Sequence, residues 1–365
     1  MAGVSDDRCP GVLRPHQAAD GAMVRVRLPG GRTTGTALAA LGGAAGRHGS
    51  GVLQLTSRGS LQVRGLPAML PDAFEAAVAE AGFLPSATHE RVRNVVCSPL
   101  TGLSGGLADL RPLVVALDRA VLAEPALAEL SGRFLFGLDD GRGDVSALEP
   151  DLGYRALDER RGVLLVGTDL GCDVAARDAV AMLVTLALTF AAAAGLSGAW
   201  RVRDLPGWVE SLPGLHPVAP VPAAGMPLGR LGRHASLGVP LGFLNPEQRR
   251  AVTAAAGAGD VVVTPWRGLV IPDGGPALDF LTATGLVAEA RSPWTALSAC
   301  VGAPWCSQGR VDTQRLVRSV AAVDGAWPRT HVSGCERRCG APTGPHRDLV
   351  APTRDDLLAG MTARA

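Results

Sequence analysis

One order of strands and helices occurs twice along this chain, and a duplicated unit constrains the fold more than any single motif does. In the first copy, residues 21–82, Val24, Val26 and Leu28 alternate with Arg25 and Arg27, a half-buried strand that ends at Pro29-Gly30-Gly31. Ala37, Leu38 and Leu41 suit a short helix. Leu53 and Leu55 alternate with Gln54 and Thr56, and Leu61 and Val63 with Gln62 and Arg64, so two strands form a hairpin around Ser57-Arg58-Gly59-Ser60. Phe74, Val78 and Ala81 then share a helix face stopped by Gly82. The order returns in residues 237–285. A strand over 237–243 leads to Asn245-Pro246, an N-cap followed by proline at the first helical position. Strands 260–264 and 269–271 flank Trp266-Arg267-Gly268, which matches Arg58-Gly59, and a helix through Phe280 and Leu281 ends at Gly285. Cys97 and Cys300 each follow the terminal glycine by 15 residues. The fold class is α+β, built on a duplicated βαββα unit.

The block between the copies predicts strands at 113–117, 133–138 and 163–166, then an alanine-rich helix over 179–196. That run could span a bilayer by length, but Thr185 and Thr189 inside it favour a buried helix. Prolines 206, 213, 217, 220, 222 and 227 mark a linker. The division is therefore 1–89, 90–204, a Pro/Gly-rich linker at 205–232, then 233–290 and 291–365.

Composition narrows the chemistry. All 35 basic residues are arginine, set against 34 acidic ones for a net charge of +1 over 365 residues. Without lysine, a Walker-type phosphate loop, a Schiff-base lysine and a pyridoxal-phosphate anchor are impossible. No long basic run points to nucleic acid or to a membrane surface. The first ten residues hold Asp6, Asp7 and Arg8 and no apolar stretch, so no secretory signal is expected and the location is cytoplasmic.

Of seven cysteines, four lie within the last 66 residues, as Cys300-x5-Cys306 and Cys335-x3-Cys339. In a reducing compartment such clustering points to metal before disulfide. Four thiolates are the ligand count of a cubane iron–sulfur cluster. Zinc is the rival, although structural zinc favours tighter knuckles than the five-residue gap. Cys9, Cys97 and Cys172 read as packing residues.

On these cysteines, with Thr56-Ser57-Arg58-Gly59, Arg93-Asn94-Val95 and the opening Arg8-Cys9-Pro10-Gly11, the chain resembles the sulfite and nitrite reductase superfamily. The stretches Thr264-Pro265-Trp266-Arg267, Ala299-Cys300-x-Gly302-Ala303-Pro304-x-Cys306 and His331-Val332-Ser333-Gly334-Cys335 resemble its precorrin-3B synthase branch. The likeness covers nearly the whole chain. It implies two ferredoxin-like half-domains (1–89 and 233–290) related by a pseudo-twofold. Two nitrite/sulfite reductase-type α/β domains (90–204 and 291–365) would accompany them and hold a [4Fe-4S] cluster on Cys300, Cys306, Cys335 and Cys339. It also implies that arginines grip the carboxylates of a tetrapyrrole, which planar guanidinium forks pair bidentately. The substrate-binding candidates are Arg58, Arg64, Arg91, Arg93, Asn94, Arg133 and Arg267.

The activity implied is that of a monooxygenase of cobalamin biosynthesis, acting on precorrin-3A with O2 at C20 and closing a γ-lactone. NADH would be the indirect electron source and a mononuclear non-haem iron would stand beside the cluster. Sirohaem-dependent sulfite or nitrite reduction is the alternative, and a zinc-stabilised scaffold is the non-enzymatic one. Reductases of the superfamily use a lysine pair on the small anion. Here the corresponding stretch reads Ser131-Gly132-Arg133-Phe134-Leu135, with arginine and leucine at those places. Arginine is a poor proton donor, so anion reduction loses its acid. Glu336-Arg337-Arg338 is a second departure, bulkier than the family pattern. No strand-linked dinucleotide turn occurs, so a separate reductase or ferredoxin donor is expected. The seven histidines show no paired metal spacing, no catalytic residue is assigned, and His331 is placed to tune the cluster by hydrogen bonding.

Overall fold

The computed structural model describes residue 7 and residues 9–223, 225–323, 325–342 and 344–361; Arg8 of the opening motif lies outside them. The first copy forms as its alternation predicts. Strand Gly21–Val26 pairs antiparallel with Leu61–Leu66, with Val24 opposite Val63, and Leu61–Leu66 pairs with Leu53–Leu55. Helix Gly35–His48 starts where Thr34 Oγ1 accepts the Ala37 N–H, and it buries Leu38, Leu41, Ala44 and Ala45. Helix Asp72–Glu80 buries Phe74 and Val78. The second copy has strands His234–Gly238, Gly268–Ile271 and Asp260–Val263 and helix Pro246–Ala256, but the expected strand over 237–243 is split: it ends at Gly238, turns through Pro240–Gly242, and Phe243–Leu244 is a separate strand. Asn245 and Gln248 close a reciprocal capping box at that helix start.

The two copies are not independent sheets. Phe243–Leu244, from the second copy, pairs with Leu53–Leu55 at the edge of the first sheet. Reciprocally, Arg32–Thr34 pairs with Asp260–Val263 at the edge of the second. Arg32 and Asp260 form an ion pair on that seam. One apolar core is shared, with Leu38, Leu53, Leu55, Leu61 and Phe74 packed in the same cluster as Leu237, Leu244, Val252, Val261 and Ile271. Each such side chain contributes roughly 1.5–3 kcal/mol on burial, so the core binds the halves together.

Between the copies lies a six-stranded sheet, ordered His216–Pro217, Leu170–Ala175, Arg161–Val166, Leu152–Ala156, Phe136–Asp139, Val95–Cys97. Residues 113–117 are not the expected strand: they belong to helix Arg111–Ala123, whose buried stripe is Val114, Leu117 and Val121. The helical period shows only when the window runs on to Val121. The second expected strand is confined to Phe136–Asp139. Helix Ala179–Ser197 packs Leu183, Ala187, Phe190 and Ala194 into this layer and leaves its other face open. By length and composition alone, Ala176–Ser197 has the measure of a membrane span. The proline-rich stretch holds helix Pro206–Glu210 and ends in Gly229–Leu231, an edge strand of the second five-stranded sheet. Last comes a parallel three-stranded sheet, Leu297–Ala299, Thr330–Ser333 and Arg347–Val350, with helix Thr313–Ala321 against it.

Candidate functional site

The cysteine pairs start where adjacent parallel strands stop. Cys300 follows Leu297–Ala299, and Cys335 comes two residues after Thr330–Ser333, so both loops leave from the carboxyl ends of the same sheet. Backbone bonds lock the loops together: Cys300 N–H donates to Val332 O (3.0 Å), Arg310 N–H to Gly334 O (2.9 Å), and Gly334 N–H to Cys300 Sγ (3.1 Å). Gly334 is closely packed, and a Cβ there would lie 3.1 Å from Gly309 Cα. Thr313 Oγ1 and Gln314 Nε2 hold the Cys300 carbonyl at 2.7 and 2.9 Å. Burial pushes the Cys339 thiol up, and so do Cys300, Cys335 and Cys306, which places all four sulfurs in one electrostatic neighbourhood. Thiols near enough for three of them to act on Cys339, with one N–H donating to Cys300 Sγ, suit a thiolate-bound metal cluster.

His331 is fully buried beneath these loops, with Nδ1 2.9 Å from Ser298 Oγ. Burial, and then the Arg267 cation, hold its pKa down to about 4, so it is neutral at physiological pH. The Glu336-Arg337-Arg338 departure leaves the cysteines accessible. Arg338 turns to Glu336 (3.1 Å) and to Asp348, and Cys339 stays exposed.

Two cavities meet in front of this centre. One, of about 390 Å³, is walled by Leu135, Val239, Leu241, Trp266 and Trp294 and reaches Arg267 and Gly340, the residue after Cys339. The other, of about 400 Å³, is lined by Cys9, Arg25, Arg58, Arg133, Trp200 and Arg201. Ser57, Arg58 and Arg201 line both. Arg201 is neutralised by Asp151 at 2.5 Å. Among the described residues, Arg25, Arg58 and Arg133 have no carboxylate within ion-pair reach. Arg58 donates instead to Gly132 O (3.1 Å), and Arg133 lies over the Trp200 ring. Burial, then Arg25 and Arg201, lower the Arg58 pKa to about 10, which leaves it charged. Asp204 lines the same cavity, so these three arginines leave it with an excess of positive charge that suits anions.

Of the sequence candidates, Arg58, Arg133 and Arg267 line these cavities. The others are committed elsewhere. Arg93 donates twice to Asp118 at 2.8 Å, and Arg64 grips Asp20 at 2.8 and 2.9 Å and reaches Trp305 O. Arg91 bonds the Asp7 carbonyl, and Asn94 spans Arg27, Arg91 O and Gly132 O as a buried strut. Cys97 is buried in the core as expected, whereas Cys9 lines the basic cavity. Arg25, Trp200 and Arg201 carried no signal in the sequence. Arg25 read as the solvated face of a strand, and the other two lie outside both repeats.

Comparisons with known proteins follow the same lines. Residues 14–81 match the nitrite/sulfite reductase ferredoxin-like half domain. A precorrin-3B synthase of Sinorhizobium sp is 27% identical over 395 aligned residues, which take in 100% of this chain and 84% of that protein. The structure of the Mycobacterium tuberculosis NirA protein is similar with a TM-score of 0.65 at 19% identity, over 87% of this chain and 69% of that one. The likeness read from the sequence, to the precorrin-3B synthases of the nitrite/sulfite reductase superfamily, is borne out, and the fold is the mixed α+β one with ferredoxin-like half domains.

Proposed function

We propose that this chain, similar from end to end to a precorrin-3B synthase, is an oxidoreductase of cobalamin biosynthesis acting in the cytoplasm. It inserts one oxygen atom of O2 at C20 of precorrin-3A while an acetate side chain closes as a γ-lactone, and the other oxygen atom leaves as water with two electrons and two protons. The observation that carries the reading is the joined pair of cavities, one apolar and one lined by unpaired guanidinium groups, opening beside the cysteine loops. A tetrapyrrole of this class is a flat apolar ring edged with carboxylates. Arg25, Arg58 and Arg133 would pair those carboxylates, and Trp266, Trp294, Leu241 and Val239 would cover the ring and exclude water. Cys300, Cys306, Cys335 and Cys339 would hold a [4Fe-4S] cluster, which when bound supplies electrons one at a time. Those electrons come from NADH through a separate reductase or ferredoxin.

Leu135 supports oxygen chemistry over anion reduction, because a buried leucine and an arginine stand where an ammonium pair would bind and protonate a small anion. A mononuclear non-haem iron takes nitrogen and carboxylate ligands together. Among the described residues, Asp139, Asp140 and Asp144 cluster closely, but they include no histidine. Their oxygens are already engaged by the Val145 and Ser146 N–H groups, by Arg142 and by the Ser98 hydroxyl. Pseudo-twofold symmetry of the half-domains is part of the reading, supported by the matching strand order of the two five-stranded sheets.

The test is anaerobic purification, then incubation with precorrin-3A, a reductant and labelled O2. A product carrying one labelled oxygen atom is expected. No labelled product, together with a sirohaem absorption band and sulfite turnover, would replace this reading with the reductase one.

A further inference from the structure

We infer that Arg267 is the built-in counter-charge and positioning residue of the cysteine centre, whereas Arg58 of the first hairpin faces the basic cavity. The inference rests on the cluster reading above. The two hairpins have connections of equal length, in which Arg58 matches Trp266 and Gly59 matches Arg267, so the arginines stand one position out of step; each donates to a carbonyl of a neighbouring loop. Arg58 reaches Gly132 O at 3.1 Å, and Arg267 Nη2 reaches Gly340 O at 2.7 Å, directly after Cys339. Their surroundings differ. Arg58 shares its cavity with Arg25, Arg133 and Arg201 and a single thiol, Cys9.

Arg267 is delivered to the cysteine loops by an unusual backbone. Its φ of 59° is left-handed, a conformation that non-glycine residues adopt at a cost. Gly242, at φ +78°, clears the path: a Cβ there would lie 2.9 Å from Arg267 Cδ. At the far end, a Cβ on Gly340 would lie 2.6 Å from Arg267 Nη2. Glycines at both ends thus leave a channel for this one side chain. Among the described residues, no carboxylate lies within ion-pair reach of Arg267. The negative charge it faces is that of the thiols, with Cys300 close enough to act on it electrostatically. A fixed cation beside a cluster favours the more negative, reduced state, and its bond to Gly340 O fixes the loop that carries Cys339.

The test uses the full-length protein, reconstituted anaerobically with iron and sulfide, as wild type, R267K and R267Q. Iron and sulfide content, the midpoint potential from a spectroscopically monitored redox titration, and the affinity for the octacarboxylate uroporphyrin III are measured. R267Q is expected to keep its cluster with a midpoint shifted negative, and R267K to retain most of the wild-type midpoint. A full cluster with an unmoved midpoint in R267Q overturns the inference, as does a tenfold loss of uroporphyrin affinity with an unmoved midpoint. Cluster uptake by R267K but not by R267Q upholds the need for the charge; failure of both variants overturns it in favour of a packing role. A wild-type protein that takes up no iron and sulfide overturns the cluster reading itself, and this inference with it.

Discussion

Arg133 lays its guanidinium over the indole of Trp200, 4.3 Å from the ring centroid, and so keeps an unpaired cation facing the basic cavity. A cation–π contact of this kind is worth about 0.5–2 kcal/mol. Trp200→Ala should therefore weaken uroporphyrin III binding several-fold, and Trp200→Phe should restore most of it. Fluorescence-detected titration of the two variants measures this, and equal affinities would detach Trp200 from the site.

Arg58 lines both cavities and has no carboxylate within reach, whereas Arg93 is held bidentately by Asp118. Arg58→Ala should lower uroporphyrin affinity by about tenfold or more with the cluster spectrum intact, since a charge-assisted hydrogen bond contributes about 1.5–3 kcal/mol. Arg93→Ala should act on stability instead, because it leaves the partly buried Asp118 carboxylate without its partner. Binding titrations and denaturant midpoints, measured on both variants, separate the two roles.

Serine at any of positions 300, 306, 335 or 339 should sharply reduce bound iron and sulfide, whereas Cys172→Ser should leave both unchanged. Stripping iron with a chelator should lower the thermal midpoint, because a ligand bound only by the folded state adds its binding free energy to stability. Iron analysis and calorimetry on holo and stripped protein check both statements.

Asp144 gives the protein an acid-side signature. Burial raises its pKa from 3.8 to about 6, against the hydrogen bond from Ser98, with Asp139 and Asp140 adding repulsion. The folded state therefore holds this proton more tightly than the unfolded chain. The associated stability is complete below about pH 4 and is lost as the pH rises through about 6. Asp144→Asn keeps an acceptor for Ser98 and removes the charge. Its melting temperature should match wild type near pH 4 and exceed it above pH 6; a gap that does not change with pH would contradict this.

Gly31 marks the crossing of the halves. Its φ is +72°, and a Cβ would lie 2.1 Å from the Val263 carbonyl oxygen of the other copy. Gly31→Ala should cost roughly 2–4 kcal/mol in chemical denaturation, more than a helix-surface glycine such as Gly46, which has open space around it.

Local chemistry made much of this legible. The N-cap at Asn245 and the hairpin around Arg58 are decided within a few residues. What could not be read depends on what covers a surface. Alternation put Arg25 and Arg27 on one face of a strand, but only the tertiary fold buries that face, leaving Arg27 2% exposed and Arg25 against a cavity. The RNV motif put Arg93 forward for substrate, but the structure commits it to Asp118, which lies on a helix that the short window 113–117 hid. Trp200 and Arg201 come to the site from beyond the alanine-rich helix, through packing that no periodicity encodes.

The reciprocal edge strands bear on how the polypeptide is made. The amino-terminal sheet is not closed until Phe243 and Leu244 have left the ribosome, and until then Leu53–Leu55 presents an open edge. Nascent chains must therefore wait, nearly two-thirds synthesised, with an unfinished sheet, so cells short of chaperone capacity should lose this protein to aggregation during translation rather than after it.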